Sequence, residues 1–216
     1  MNIHSVRAIV LMTSAALLGA CGLSGSTGVF HSLIVRSDNA PLDAIGATAV
    51  LTAEDSSLAV GTAAPTTTVT WVSSDPSVAT VGATGTSVTV TAKANGSVTI
   101  TATNGALVGS FRLTVAQVVT GLAIVSGDQQ TGSASTLLPL PLVVKAVDRL
   151  GGGVAAVGVT FTPQANSGSV APTTGTTAAN GTASTRWTFG PSQIVQKVDV
   201  TSAGLAKVTF SGTAGP

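Results

Sequence analysis

The sequence predicts an all-β protein, and three observations carry that prediction. Threonine and valine are abundant beyond residue 31, and β-branched side chains favour strands over helices. Twenty-five glycines and nine prolines supply frequent turns. Beyond residue 31 no segment sustains a helical period, whereas several alternate apolar and polar residues at every second position.

The chain opens differently. Arg7 is the only charge in the first twenty residues, an apolar run follows through Leu18, and the small residues Gly19 and Ala20 close it. A positive start, a short apolar centre and a small-residue cut site describe a secretory signal over residues 1–20. The apolar part spans about fifteen residues, where a bilayer-crossing helix needs roughly twenty. Leu18-Gly19-Ala20-Cys21 then resembles a bacterial lipobox, in which the cysteine sulfur takes a diacylglyceryl group and becomes the mature N-terminus. Cys21 is the only cysteine of the 216 residues, so it has no disulfide partner within the chain. Lipidation at Cys21 is the expected site chemistry; plain secretion with an incidental thiol is the alternative. The resemblance implies two or three acyl chains, palmitate among them, which anchor stably where one does not. Gly22, in place of the aspartate that commonly retains lipoproteins at the inner membrane, implies the outer membrane. Residues 21–30 then form a lipidated, Gly/Ser-rich tether.

Charge excludes several functions. Without Arg7 the mature part holds eight Lys+Arg against eight Asp+Glu. That balance argues against capture of nucleic acid and against a polybasic grip on anionic lipid. Charged residues are only 8% of the chain, against about 25% in a typical soluble domain. Aromatics are 3%, with no tyrosine, which disfavours a broad aromatic binding face.

Residues 31–116 read as one unit. Candidate strands are Leu33–Arg36, Thr48–Ala53, Thr67–Ser73, Val78–Val81, residues 87–93, residues 97–103 and Val108–Val115. In the fifth, Val88, Val90 and Ala92 oppose Thr89, Thr91 and Lys93; in the sixth, Val98, Ile100 and Ala102 oppose Thr99, Thr101 and Thr103. Asn95-Gly96 between them predicts a tight hairpin. About seven short strands at this spacing fit an Ig-like sandwich. The run Thr70–Val81 (TWVSSDPSVATV), Gly85, and Val90–Thr103 (VTAKANGSVTITAT) resembles the bacterial Ig-like group 2 family. On that resemblance Trp71 plugs the core, Ser74-Asp75-Pro76-Ser77 turns the chain, and Val78 and Val81 return to the core.

Residues 117–216 read as a second unit. Leu140–Pro163 gives two strands around a turn at Gly151-Gly152-Gly153, and Asn180–Pro191 (NGTASTRWTFGP) precedes two final strands. The segment resembles the bacterial Ig-like group 1 family, repeated in invasin and intimin stalks. That resemblance implies a hairpin at Asn180-Gly181, a strand face of Ala183, Thr185, Trp187 and Phe189, and a core finished by Val208 and Phe210. Arg149-Leu150 and the Gly-rich insertion depart from the family pattern. A junction near Ala116-Gln117 with almost no linker favours a semi-rigid rod. The predicted architecture is two tandem Ig-like β-sandwiches behind a signal peptide and tether.

Chemistry for an enzyme is thin. His31 is the only histidine of the mature chain and is expected to start a strand with its ring in solvent, so a Ser-His-Asp arrangement is not expected. Glu54-Asp55 reads as a solvated loop pair. Asp128 and Asp148 sit near expected loops but lack the neighbouring oxygens that calcium requires. No Cys/His spacing suits zinc, and the glycines after Asp148 lack the Lys-Ser/Thr of a phosphate loop. Asn95-Gly-Ser and Asn180-Gly-Thr match the glycosylation triplet but read better as turns. Trp71 and Trp187 read as core and not as ligand platforms. The expectation is no catalytic residue, no cofactor and no metal. The expected role is structural or adhesive, as a stalk, spacer or contact module; the alternative is an envelope binding module for a glycan or partner protein. Expected partners are the membrane through Cys21 and a host, cell-surface or envelope protein or glycan, with no nucleic acid.

Overall fold

The computed structural model describes residues 31–57, 62–63 and 68–216. The expected signal segment and tether, with Cys21, lie outside the described residues. Those residues form two tandem Ig-like β-sandwiches, with no helix among them.

The first sandwich runs through β1 (His31–Ser37), β2 (Thr48–Ser57), β3 (Thr62–Ala63), β4 (Thr70–Ser73), β5 (Ala79–Val81), β6 (Ser87–Ala92), β7 (Gly96–Asn104) and β8 (Leu107–Val115). One sheet has the order β1-β2-β6-β5, with β3 also on β2; the facing sheet is β4-β7-β8. All these pairs are antiparallel. Alternation sets what each strand buries: Val88, Val90 and Ala92 of β6 and Val98, Ile100 and Ala102 of β7 point inward. They meet Leu51 and Trp71 in one apolar cluster drawn from both sheets. Trp71 is 4% exposed, and its indole N–H donates to the Gly85 carbonyl at 2.7 Å, so its one polar atom is satisfied inside the core.

Where β1 and β8 close the sandwich, their backbones nearly touch. A Cβ on Gly109 would lie 2.5 Å from the Leu33 carbonyl oxygen.

The second sandwich runs through β9 (Gly121–Ser126), β10 (Gln130–Ser133), β11 (Leu142–Val147), β12 (Gly158–Pro163), β13 (Ser169–Ala171), β14 (Thr174–Thr176), β15 (Thr182–Thr188), β16 (Val195–Thr201) and β17 (Val208–Gly215). Its sheets are β13-β15-β11-β9 and β10-β17-β16-β12-β14. The β10–β17 pair is parallel. Trp187, Phe161, Phe189, Phe210 and Leu142 fill the centre. Ala183, Thr185, Trp187 and Phe189 share the buried face, as expected, and Phe210 is fully buried while Val208 is half-buried.

Several expectations need correction. Asn95-Gly96 makes no hairpin: β6 pairs with β2 and β5, β7 pairs with β4 and β8, and the turn crosses between sheets. The tight hairpin joins β7 to β8, where Asn104 faces Leu107 across Gly105-Ala106 and Gly105 takes a φ of 58°. Asn180-Gly181 also turns the chain between sheets, from β14 to β15. The strands on either side of Gly151-Gly152-Gly153, β11 and β12, likewise lie in opposite sheets. Ala79 takes the buried position of β5, and Val78 and Val81 pack half-buried beside it. Glu54 and Asp55 lie in β2, not in a loop. The short β3 was not anticipated.

Candidate functional site

The residues singled out as chemical candidates are dispersed. His31 opens β1. Glu54 pairs with Arg36 at 2.7 Å across the β1–β2 ladder, and Asp55, its neighbour along the strand, faces the opposite side of the sheet. Asp128 accepts the Ser211 backbone N–H at 2.7 Å and its hydroxyl at 3.3 Å, tying the loop before β10 to β17. Among the described residues no three of His, Cys, Asp and Glu converge to hold a metal. Two shallow depressions open to solvent. One is lined by residues such as Val143, Thr176 and Ser184, the other by Trp71, Pro76 and Thr80, and none of these titrates near neutral pH.

The dense polar geometry lies where the two sandwiches meet. Asp148 follows β11 directly and is 2% exposed. Its Oδ1 accepts the N–H groups of Leu150 at 2.9 Å and Gly152 at 2.8 Å, which folds its own turn. Its Oδ2 accepts the Ile45 N–H at 3.0 Å, from the β1–β2 loop of the first sandwich, and the Gln117 Nε2–H at 2.8 Å, from the junction. Burial pushes the Asp148 carboxyl up, but the bonds from Gln117, Ile45, Leu150 and Gly152 outweigh it and hold the carboxyl below its ordinary value.

Neighbours extend the contact. The Asp43 carboxylate meets the Arg149 guanidinium at 2.7 Å. Asn95 Oδ1 accepts the Gln117 backbone N–H at 2.7 Å, and Asn95 Nδ2 donates to Gln117 Oε1 at 3.3 Å. The junction backbone is tied on both sides: Ala116 N–H to Leu42 and Val118 N–H to Asp43 in the first sandwich, and Thr120 N–H to Val147 in the second. The Gly-rich turn is tightly built. A Cβ on Gly153 would lie 2.1 Å from the Asn180 carbonyl oxygen, and one on Gly181 would lie 2.5 Å from Gly153 Cα. Thus Arg149 and the glycines, departures from the resembled pattern, are parts of the joint and its supporting turn.

Two other carboxylates are held below their ordinary range. Asp75 owes this first to the Ser77 hydroxyl and then to its N–H, which shape the expected turn. Asp199 owes it first to Lys207, 2.8 Å away, and then to Thr209.

Sequence reasoning missed two buried glutamines. Gln196, fully buried, accepts the Gly190 N–H and donates to the Gly190 and Ser192 carbonyls. Gln130 donates to the Gly127 and Leu140 carbonyls and accepts the Leu140 N–H. Their signal was a long amide beside a glycine- or proline-containing loop, which alternation alone does not flag.

β11 and β15 place the loops at 127–129, 134–141, 163–168 and 189–194 at the end of the second sandwich opposite Asp148 and Gly181. Leu137, Leu140, Ile194 and Val195 are exposed there.

Residues 37–115 match the family model of the bacterial Ig-like domain (group 2). No curated protein matches. Among solved structures the chain is similar to the Yersinia pseudotuberculosis adhesin InvE, at 16% identity and a TM-score of 0.40, covering 86% of this chain. The chain spans 59% of that adhesin's length. It is also similar to domains 4 and 5 of the S-layer protein SbsC, at 16% identity over 86% of this chain and 98% of that one, with a TM-score of 0.38. The D0-D1 domain of intimin aligns at 18% identity over 83% of this chain and 97% of that one, with a TM-score of 0.33.

Proposed function

We propose that this chain is a lipid-anchored bacterial cell-envelope protein, its two sandwiches serving as a non-catalytic stalk, spacer or contact module. The observation that carries the reading is the end-to-end joint: residues 116–120 are hydrogen-bonded to both sandwiches, so each adds its length to the other. The lipobox-like Leu18-Gly19-Ala20-Cys21 supports attachment at one end, and Gly22 supports the outer membrane. Residues 117–216 are read as a group 1 Ig-like unit on the motif at Asn180–Pro191.

Cells grown with a clickable fatty acid test the anchor. The native chain is expected to take the label and fractionate with membranes, and Cys21→Ala to lose both. A Cys21→Ala chain that stays fully membrane-bound would sink the anchor. Proteolysis of intact cells then tests display: cleavage of both sandwiches supports contact with other surfaces, and full protection supports a spacer inside the envelope.

A second reading is favoured by the exposed Leu137, Leu140, Ile194 and Val195. In it, the loops remote from the joint bind a glycan or a partner protein. Glycan and matrix arrays probed with the chain separate the readings, since a pure spacer gives no ligand-specific signal.

A further inference from the structure

We propose that Asp148 locks the two sandwiches into one rigid body, and that this lock works without a bound cation. The argument begins with the donors. A carboxylate offers about four lone-pair sites on two oxygens. In Asp148 all four are taken by N–H groups between 2.8 and 3.0 Å: two from its own turn, one from Ile45 and one from Gln117. A joint that relied on a cation would leave carboxylate oxygens facing the gap. Here the oxygens face N–H dipoles, and a cation at Asp148 would have to displace them.

The second observation is the junction backbone. Rotation between the sandwiches requires free torsions, yet Ala116, Gln117, Val118 and Thr120 each donate a backbone N–H, three toward the first sandwich and one toward the second. Gln117 joins both ends of this network, with its side-chain oxygen on Asn95 and its side-chain nitrogen on Asp148 and the Gly153 carbonyl. Breaking the joint therefore breaks several hydrogen bonds together, two of them to a 2%-exposed carboxylate. Other charges beside the lock are few. Asp43 and Arg149 neutralise each other, and Lys145 donates to the Gly151 carbonyl on the outer side of the turn. Motion between units is the default where an interface is small; here directional bonds restrain it. The inference holds whether or not Cys21 carries lipid.

The test uses the full chain with Cys21→Ala, spin-labelled at Thr89→Cys and Thr160→Cys, both exposed positions on different sandwiches. Pulsed electron-electron distances report the spread of orientations. The parent is expected to show one narrow distribution, unchanged by added calcium or by chelator. Gln117→Ala leaves the Leu150 and Gly152 bonds in place and is expected to broaden the distribution. Asp148→Ala is expected to broaden it further. Trp71 and Trp187 fluorescence, one reporter in each sandwich, verifies that both cores stay folded. A broad parent distribution overturns the lock, as does a narrow one in folded Gln117→Ala. A parent distribution that broadens with chelator overturns its independence from cations.

Discussion

The indole of Trp187 meets the ring of Phe189 edge-on, with centroids 4.8 Å apart and planes at 84°. Both lie on one face of the segment leaving β15, and the Trp187 N–H donates to the Ser167 carbonyl at 2.8 Å. Trp187→Ala removes a fully buried ring and leaves that carbonyl without its donor. The expected loss is about 3–5 kcal/mol, read by chemical denaturation. In the native chain both tryptophans are expected to emit blue-shifted; emission near that of free tryptophan contradicts the buried placement.

Two glycines separate backbone strain from crowding. Gly168 and Gly105 both have positive φ, but a Cβ on Gly168 would lie 2.0 Å from the Thr188 carbonyl oxygen, whereas Gly105 meets nothing within 4 Å. Gly105→Ala is expected to cost about 1–2 kcal/mol, the left-handed penalty alone. Gly168→Ala must also move backbone and is expected to cost clearly more. Equal melting-point losses would show that the loop at Gly168 relaxes freely.

Gln196→Leu keeps approximate volume but deserts the N–H of Gly190 and the carbonyls of Gly190 and Ser192. Each buried group left unpaired costs about 1–3 kcal/mol. A drop in denaturation midpoint with faster amide exchange at Gly190 is the expected outcome.

Asp148 predicts how the joint responds to acid. Its carboxyl is held below the ordinary 3.8, so its contribution is full above that value and is lost as pH falls through the lower, folded one. The joint is expected to hold from neutral pH down to about 4 and to loosen only in stronger acid. Asp148→Asn points an amide N–H₂ at N–H donors and is expected to cost about 2–3 kcal/mol at neutral pH. Acid titration of melting temperature in both chains checks this, because the variant should lose that part of the pH dependence.

Faces were legible in the sequence; partners were not. Alternation correctly buried Val88, Val90, Val98 and Ile100, because a strand's side chains must alternate whatever it pairs with. It carried no information on which strand lies beside which. Asn95-Gly96 and Asn104-Gly105 offer the same local hairpin signal, and only the second joins neighbours in one sheet. The joint was hidden for a related reason. Ile45 and Asp148 are 103 residues apart, and Asp43 and Arg149 are 106 apart. Local spacing holds no trace of such contacts. The one hint was an aspartate with three glycines two residues beyond it, a departure from the family pattern in which Gly153 is the condition for close packing against Asn180.

The parallel pairing of β10 with β17 has a mechanical consequence. Gln130 to Ser133 run alongside Gly212 to Gly215, both strands heading away from Asp148. Tension applied between Gly121 and Gly215 draws β17 along its own axis while β10 is held back through β9. The rungs of that ladder are then strained in shear, all together, instead of being peeled apart one at a time. The second sandwich is therefore braced against tension between Gly121 and Gly215.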